Sequence, residues 1–411
     1  MTLAAIDFSD PAVQANPYPI YRELREQAPV FRNGQSWLIS RYDDIVALLT
    51  DPRVSSARVE ATFAVLPAEV QAELAPLRHV LGSRMLLTDP PTHTRLRNLM
   101  TKAFSARMVN TKRTRVDEIC DELLGAVVEQ GSMDVVRDLA VPLPGRVIAD
   151  MLGVPAADQV AFSRWSRDQV RVYDRAGTAN DRIAVMRRGQ ASMLEMKAYL
   201  EAVIEERRRA PSEDLITMLV TVEEAGDRLT VDEMVVMIIA LLVGGNNSTA
   251  HLIGNAVLTL ARYPEELARV RQNPALTRTA IEEVLRFESP VQATTRVARE
   301  RIELGGRTIE DGDGITVLFG SANRDEAQFL EPERFDVARQ PNRHLTFAHG
   351  AHFCLGAALA RAEAQAAVRA VIQRCAGLEL ASPDVAWLSG FAFRGPKALP
   401  VRFRPASRQA F

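Results

Sequence analysis

The chain has 411 residues, 47% hydrophobic and 25% charged, and its 50 basic and 52 acidic side chains leave a formal charge of -2 at pH 7. That balance argues against a nucleic-acid partner, which needs a large positive field, and the apolar fraction is enough for a sizeable core. Three cysteines without paired spacing fit a reducing cytosol and no disulfide framework. The start, Met1 to Pro11, carries acids where an apolar export core would lie. The most apolar run, Met234 to Gly245, turns polar after a dozen residues, too soon to span a bilayer. A cytoplasmic protein without membrane attachment is expected. Length arithmetic allows two or three domains, but no linker, repeat or low-complexity tract divides the sequence, so one domain over 1–411 is expected.

In chain order, Pro19 to Glu26 reads as a short helix, Val30 to Gly34 and Trp37 to Ser40 as a hairpin, and Tyr42 to Leu49 as a helix. Asp89-Pro90-Pro91-Thr92-His93 opens another helix, with His93 and Arg97 four apart on one face. From Val116 the apolar spacing is almost wholly helical, as in Val116-Ile119-Leu123-Leu124-Val127 and around Leu194 to Ile204. The stretch Val231 to Tyr263 is apolar on nearly every face and predicts a core helix. Strand character returns at Arg301 to Leu304, Ile315 to Leu318 and Leu399 to Phe403. The fold class is therefore mainly α with a small β region, an α+β chain.

The segment Phe347-Ala348-His349-Gly350-Ala351-His352-Phe353-Cys354-Leu355-Gly356 carries the chemistry. Gly350 and Gly356 permit close backbone approach around the sulfur. The helical run Ala357 to Ala370 begins at once, and a helix N-terminus with backbone N–H donors favours thiolate over thiol. Phe347 would shield the sulfur on one side. This spacing, followed by Leu359-Ala360-Arg361, resembles the haem-binding signature of the cytochrome P450 family, and the likeness runs from about Asn16 to Phe403. The resemblance implies haem b (iron protoporphyrin IX) buried between the long central helix and the cysteine loop, with Cys354 as the iron ligand and dioxygen as co-substrate.

The centre of the predicted core helix, Gly244-Gly245-Asn246-Asn247-Ser248-Thr249, is polar where packing alone would favour Leu or Val. Each unpaired buried polar group costs about 1 to 3 kcal/mol, so such a break marks water, ligand or function. By resemblance this is the family's oxygen-activation segment, with Gly244 and Gly245 leaving a notch for dioxygen. Asn247 stands where the family has an acid and Ser248 where it has Thr. An amide does not titrate, which leaves three proton routes open: an Asn/Ser/water relay, a substrate group, or peroxide in place of dioxygen plus electrons.

Glu283-Val284-Leu285-Arg286 matches the family's Glu-x-x-Arg motif, with both side chains on one helix face. Pro332-Glu333-Arg334-Phe335 resembles the segment that supplies Arg334 to the same carboxylate. Also by resemblance, His93, Arg97, Arg296 and His352 fit the haem propionates. The basic, acid-free run Arg95 to Arg115 is either the docking face of an acidic electron donor or a solvated helix face. By position, Met85, Leu87, Ala240, Val243, Val291, Phe391, Ala392 and Phe393 border an apolar substrate pocket. Arg164, Arg167, Arg171 and Arg175 either reach a polar substrate or form one exposed face. The expectation is a monooxygenase that takes electrons from ferredoxin and ferredoxin reductase to hydroxylate, dealkylate or couple a small organic substrate. A peroxide-using or specialised biosynthetic oxidase and a non-catalytic haem sensor stand as alternatives.

Overall fold

The computed structural model describes residues 6–172 and 179–406. The chain forms two compact units, each assembled from separate stretches: Met1–Val54, Arg113–Pro144 and Ser248–Phe411 make the first, Ser55–Lys112 and Gly145–Asn247 the second.

In the first unit, the expected hairpin pairs Val30–Asn33 with Ser36–Ile39 across Gly34, which sits at a φ of +60. Ser36–Ile39 runs parallel to Gly314–Leu318, which in turn pairs antiparallel with Ala293–Ala298. The buried faces of these strands meet Ile45 and Leu48 from the helix Tyr42–Thr50, together with Ile302 and Ile309, in one core. Sequence reading missed Ala293–Ala298, whose Thr-Thr-Arg centre lacks the apolar alternation of a half-buried strand. A second sheet places Pro400–Pro405 between Ser132–Asp134 and Cys375–Leu380. Three helices carry the site of this unit: Arg113–Gly125, Thr277–Phe287 and Ala357–Arg374, the last packing against both others.

The second unit is helical. Ala179–Arg209 packs against Gln159–Arg171 and Leu215–Thr221. Asp214 caps the latter, accepting from the Thr217 amide at 2.8 Å. Phe63, Leu74 and Leu77 form a local core with Leu87 and Met186. The helix Thr92–Ala103 follows the Asp-Pro-Pro turn, and Asp89 is held by the Ser55 hydroxyl at 2.6 Å and the Ser56 amide at 2.8 Å.

The central helix runs Val231–Arg262, with Asp232 and Glu233 in its first turn and Arg262 in its last, charges that suit the helix dipole. The chain passes from one unit to the other between Asn247 and Ser248, inside the polar break. By length and composition this helix could cross a membrane, with a mean hydropathy of 1.5 over its most apolar window. The dozen-residue run read from the sequence was too short a measure, because the helix continues through the polar break. Half of that window is buried inside the protein.

Candidate active site

Cys354 lies three residues before the helix Ala357–Arg374, on a loop that folds back on itself. Its amide donates to the Phe347 carbonyl at 2.9 Å, and the Ala357 amide reaches the Cys354 carbonyl at 3.4 Å. Gly350 has a φ of +70, and a Cβ there would stand 3.0 Å from the Leu49 carbonyl oxygen, so the loop needs glycine at that position. A Cβ on Gly356 would only touch the Cys354 sulfur at 4.0 Å, an ordinary contact. Cys354 is half-buried, whereas Cys120 and Cys375 are fully buried. Burial pushes the Cys375 thiol up to about 12 and raises that of Cys120 as well, so both stay protonated and inert. Phe347 is 8% exposed, while His352 is half-buried beside the cysteine.

The two glycines of the polar break differ. A Cβ added at Gly245 would fall 2.6 Å from Ile148 Cδ1, whereas one at Gly244 would meet no heavy atom within 4 Å. Gly245 is therefore a packing glycine, and Gly244 alone leaves open volume. Asn246 donates from Nδ2 to the Ser166 hydroxyl at 2.6 Å, while its buried Oδ1 has no hydrogen-bond partner among the described residues. Asn247 and Ser248 are half-buried, whereas Thr249 is 3% exposed. Of the two hydroxyls, Ser248 is the more accessible.

Arg296 is 4% exposed, and its Nη1 donates to Thr294 Oγ1 at 3.2 Å and the Thr295 carbonyl at 2.8 Å. In the second unit, His93 is 2% exposed, its imidazole held below its ordinary value by burial and by Arg97. Met85, Ala240 and Val243 are half-buried and Leu87 is buried there. In the first unit, Val291 and Phe393 form an isolated bridge, and the Gln292 amide donates to the Ala392 carbonyl at 2.9 Å, so Val291 and the Phe391 to Phe393 hairpin do come together. Among the arginines of Gln159–Arg171, Arg164 pairs with Glu195 at 2.6 Å; Arg175 lies outside the described residues.

Glu283 is fully buried and accepts from five donors. Arg286 holds it bidentately, Nε and Nη2 each at 2.8 Å. The Asp336 amide at 3.1 Å, Arg339 Nε at 3.0 Å and Asn342 Nδ2 at 3.0 Å complete the set. The expected second arginine, Arg334, is not among them. Its guanidinium faces outward to Glu331 at 3.2 Å, and only its carbonyl joins the network, accepting from Arg286 and Arg339. The Pro-Glu-Arg-Phe segment turns the Arg334 side chain away from the core, and the chain brings Arg339 round five residues later.

The basic run is also less basic than it reads. Within the second unit Arg95 pairs with Asp227 and Glu233, Lys102 with Glu224, and Lys112 with Asp150; in the first, Arg115 pairs with Glu118 and Glu122. The acids that meet Arg95, Lys102 and Lys112 come from remote stretches, and those that meet Arg115 lie just past the window, so the window showed only the cations.

Sequence reasoning missed Arg339, Asn342, Glu282, His344 and Glu363. Glu282 neighbours the Glu-x-x-Arg motif and Glu363 follows the Leu-Ala-Arg run, but nothing in either position marks a buried partner.

The cytochrome P450 family model matches residues 69–381. The chain is 40% identical over 401 residues to the cytochrome P450 monooxygenase PikC of Streptomyces venezuelae, covering 95% of this chain and 92% of that protein. It is 37% identical to the 6-deoxyerythronolide B hydroxylase of Saccharopolyspora erythraea, covering 96% of this chain and 98% of that one. The solved structure of P450BioI with an acyl carrier protein ligated to hexadec-9Z-enoic acid superposes with a TM-score of 0.87 at 36% identity, covering 96% of this chain and 99% of that one. This chain belongs to the cytochrome P450 family.

Proposed function

We propose that this oxidoreductase is a haem-thiolate monooxygenase that oxidises a small organic substrate with electrons from a ferredoxin and its reductase, using an amide and a serine where the family places an acid and Thr. The observation that carries this reading is the Cys354 loop, a half-buried thiol at a helix start with its amide anchored on the Phe347 carbonyl.

The family's cofactor is haem b, with dioxygen as co-substrate, and the side chains present suit it. Cys354 would hold the iron as thiolate. His352 and Arg296 in one unit, and His93 and Arg97 in the other, would supply cations and donors to the two propionates. Bound haem would supply the oxidising chemistry; the protein would supply the thiolate ligand, the shape of the site and protons. Ser248 would hold a water as donor and acceptor. Asn247 would orient that water without exchanging a proton itself. Gly244 would keep the space beside it open. In the first unit Val291, Phe391, Ala392 and Phe393 are the candidates for apolar substrate contacts, and in the second Met85, Leu87, Ala240 and Val243 are. The kinship to bacterial family members supports a cytoplasmic location.

One relative is named a 6-deoxyerythronolide B hydroxylase and one solved structure is a complex with a hexadec-9Z-enoic acid ligated acyl carrier protein, so compounds of those kinds are the first to screen for a spin-state shift. Turnover with NADPH, ferredoxin and reductase, set against turnover with peroxide alone, tests the rest. Product only with the redox partners supports the monooxygenase; product with peroxide alone at the same rate replaces it with a peroxygenase. Cys354→Ala should abolish the thiolate-type carbon-monoxide spectrum.

A further inference from the structure

Behind Phe347 stands a charged cluster that the haem-thiolate reading leaves without a role. Arg361, on the helix after the cysteine, donates from Nε to Glu282 Oε1 at 2.7 Å and from Nη2 to Glu282 Oε2 at 2.8 Å. The same Oε2 receives His344 Nε2 at 3.2 Å. The Arg361 guanidinium lies 4.5 Å over the Phe347 ring, and the His344 ring is 5.8 Å from that ring. Phe353 flanks it at 6.3 Å.

We propose that Glu282, Arg361 and His344 are positioning residues that clamp the Phe347 ring, and through the Phe347 carbonyl the Cys354 amide, so that the cysteine stays a thiolate ligand. The inference rests on the reading of Cys354 as haem ligand. Glu282 belongs to the helix Thr277–Phe287 and Arg361 to Ala357–Arg374, so the clamp ties the loop to two helices that do not depend on the loop itself. A planar guanidinium fixed by a bidentate carboxylate has one orientation, and that orientation sets the ring beneath it. Burial alone would raise the Glu282 carboxyl, but the His344 and Arg361 hydrogen bonds bring it down to about 2, so the clamp stays charged at neutral pH. Burial keeps His344 below its ordinary value despite Glu282, and as a neutral ring it places its proton on Nε2, toward the carboxylate.

The test is the rate at which the ferrous carbon-monoxide complex of the holoenzyme converts from its thiolate to its neutral-thiol spectrum in mild denaturant. Glu282→Gln and Arg361→Met should each speed conversion by about tenfold, a loss of the size expected for a partly buried cation–ring contact and its ion pair. Arg361→Lys should restore only part of that, since it keeps the charge but not the flat face. Arg369→Met breaks another ion pair of the same helix, to Asp117 at 3.0 Å, and should leave the rate within about twofold, as a merely structural contact would. Should Glu282→Gln fail to take up haem, His344→Gln, which keeps the ion pair but removes one ring wall, should still speed conversion by about threefold. Rates unchanged, or moved in opposite directions as pure electrostatics at the sulfur would require, overturn the clamp, and so does an Arg369→Met effect equal to that of Arg361→Met. A wild-type holoenzyme without a thiolate spectrum overturns the haem-thiolate reading itself, which keeps the two failures apart.

Discussion

Arg339 and Glu283 stand 56 residues apart in the chain, and the half-buried Arg339 places its Nε 3.0 Å from Oε1 of the fully buried Glu283. The carboxylate is thereby shared between Arg286 on its own helix and an arginine from a distant loop. Removing Arg339 leaves Glu283 with Arg286 still bound, so the loss is that of charge-assisted hydrogen bonds rather than of a bare buried charge, about 1 to 3 kcal/mol. Arg339→Met should lose that much in denaturant unfolding and release haem faster. Arg334→Met, which removes only an exposed pair, should stay within about 1 kcal/mol of wild type. Equal losses would place Arg334 back on the carboxylate.

Gly244 and Gly245 separate cleanly by substitution. Gly245→Ala puts a methyl against Ile148 and should cost about 1 to 3 kcal/mol, largely recovered by Ile148→Val, which removes the clashing Cδ1. Gly244→Ala has room and gains helix propensity of up to about 1 kcal/mol, so the protein should be as stable or more so. Thermal unfolding checks the stability of both. If Gly244 keeps the space for dioxygen, the same variant should show slower turnover despite its stability.

Glu363 sits on the helix Ala357–Arg374, 1% exposed, and its Oε2 has no hydrogen-bond partner. Burial pushes its carboxyl up from 4.5 to about 8, and its charge in turn would help to raise the buried Cys120 thiol. The native state thus holds a proton that the unfolded chain releases. This group's contribution to stability is fully present below pH 4.5 and is lost as pH rises through about 8. Glu363→Gln removes that dependence, and relative to wild type it should gain on the order of 3 to 5 kcal/mol between pH 5 and 8. Unfolding curves at the two pH values measure it; parallel curves would show that the acid ionises in the native state.

Asn247→Asp reintroduces a titratable group beside Ser248. Coupling of NADPH to product, or the solvent isotope effect on turnover, should change by about twofold or more if the side chain lies on the proton route. No change in either would leave proton delivery to Ser248 and water or to the substrate.

The hairpin at Val30–Asn33 and Ser36–Ile39, the helix Tyr42–Thr50, the core helix and the Cys354 loop could all be read from local pattern, because each is written in residues close together in the chain. Gly245 and Gly244 looked alike in sequence and parted only when Ile148 was seen to fill one side. The cations from Arg95 to Lys112 looked like a patch until Asp227, Glu233, Glu224 and Asp150 arrived from elsewhere.

Family and cofactor were thus legible in the sequence alone, and so was Cys354 as the proposed ligand, since a thiol framed by glycines and followed at once by a helix is a chemical statement made within ten residues. Which arginine neutralises Glu283, which glycine opens the helix, and what stands behind Phe347 were decided only by tertiary structure. Ion pairs and close packing depend on distances in space, and Arg394 donates to the Gln14 carbonyl at 2.6 Å across 380 positions of chain.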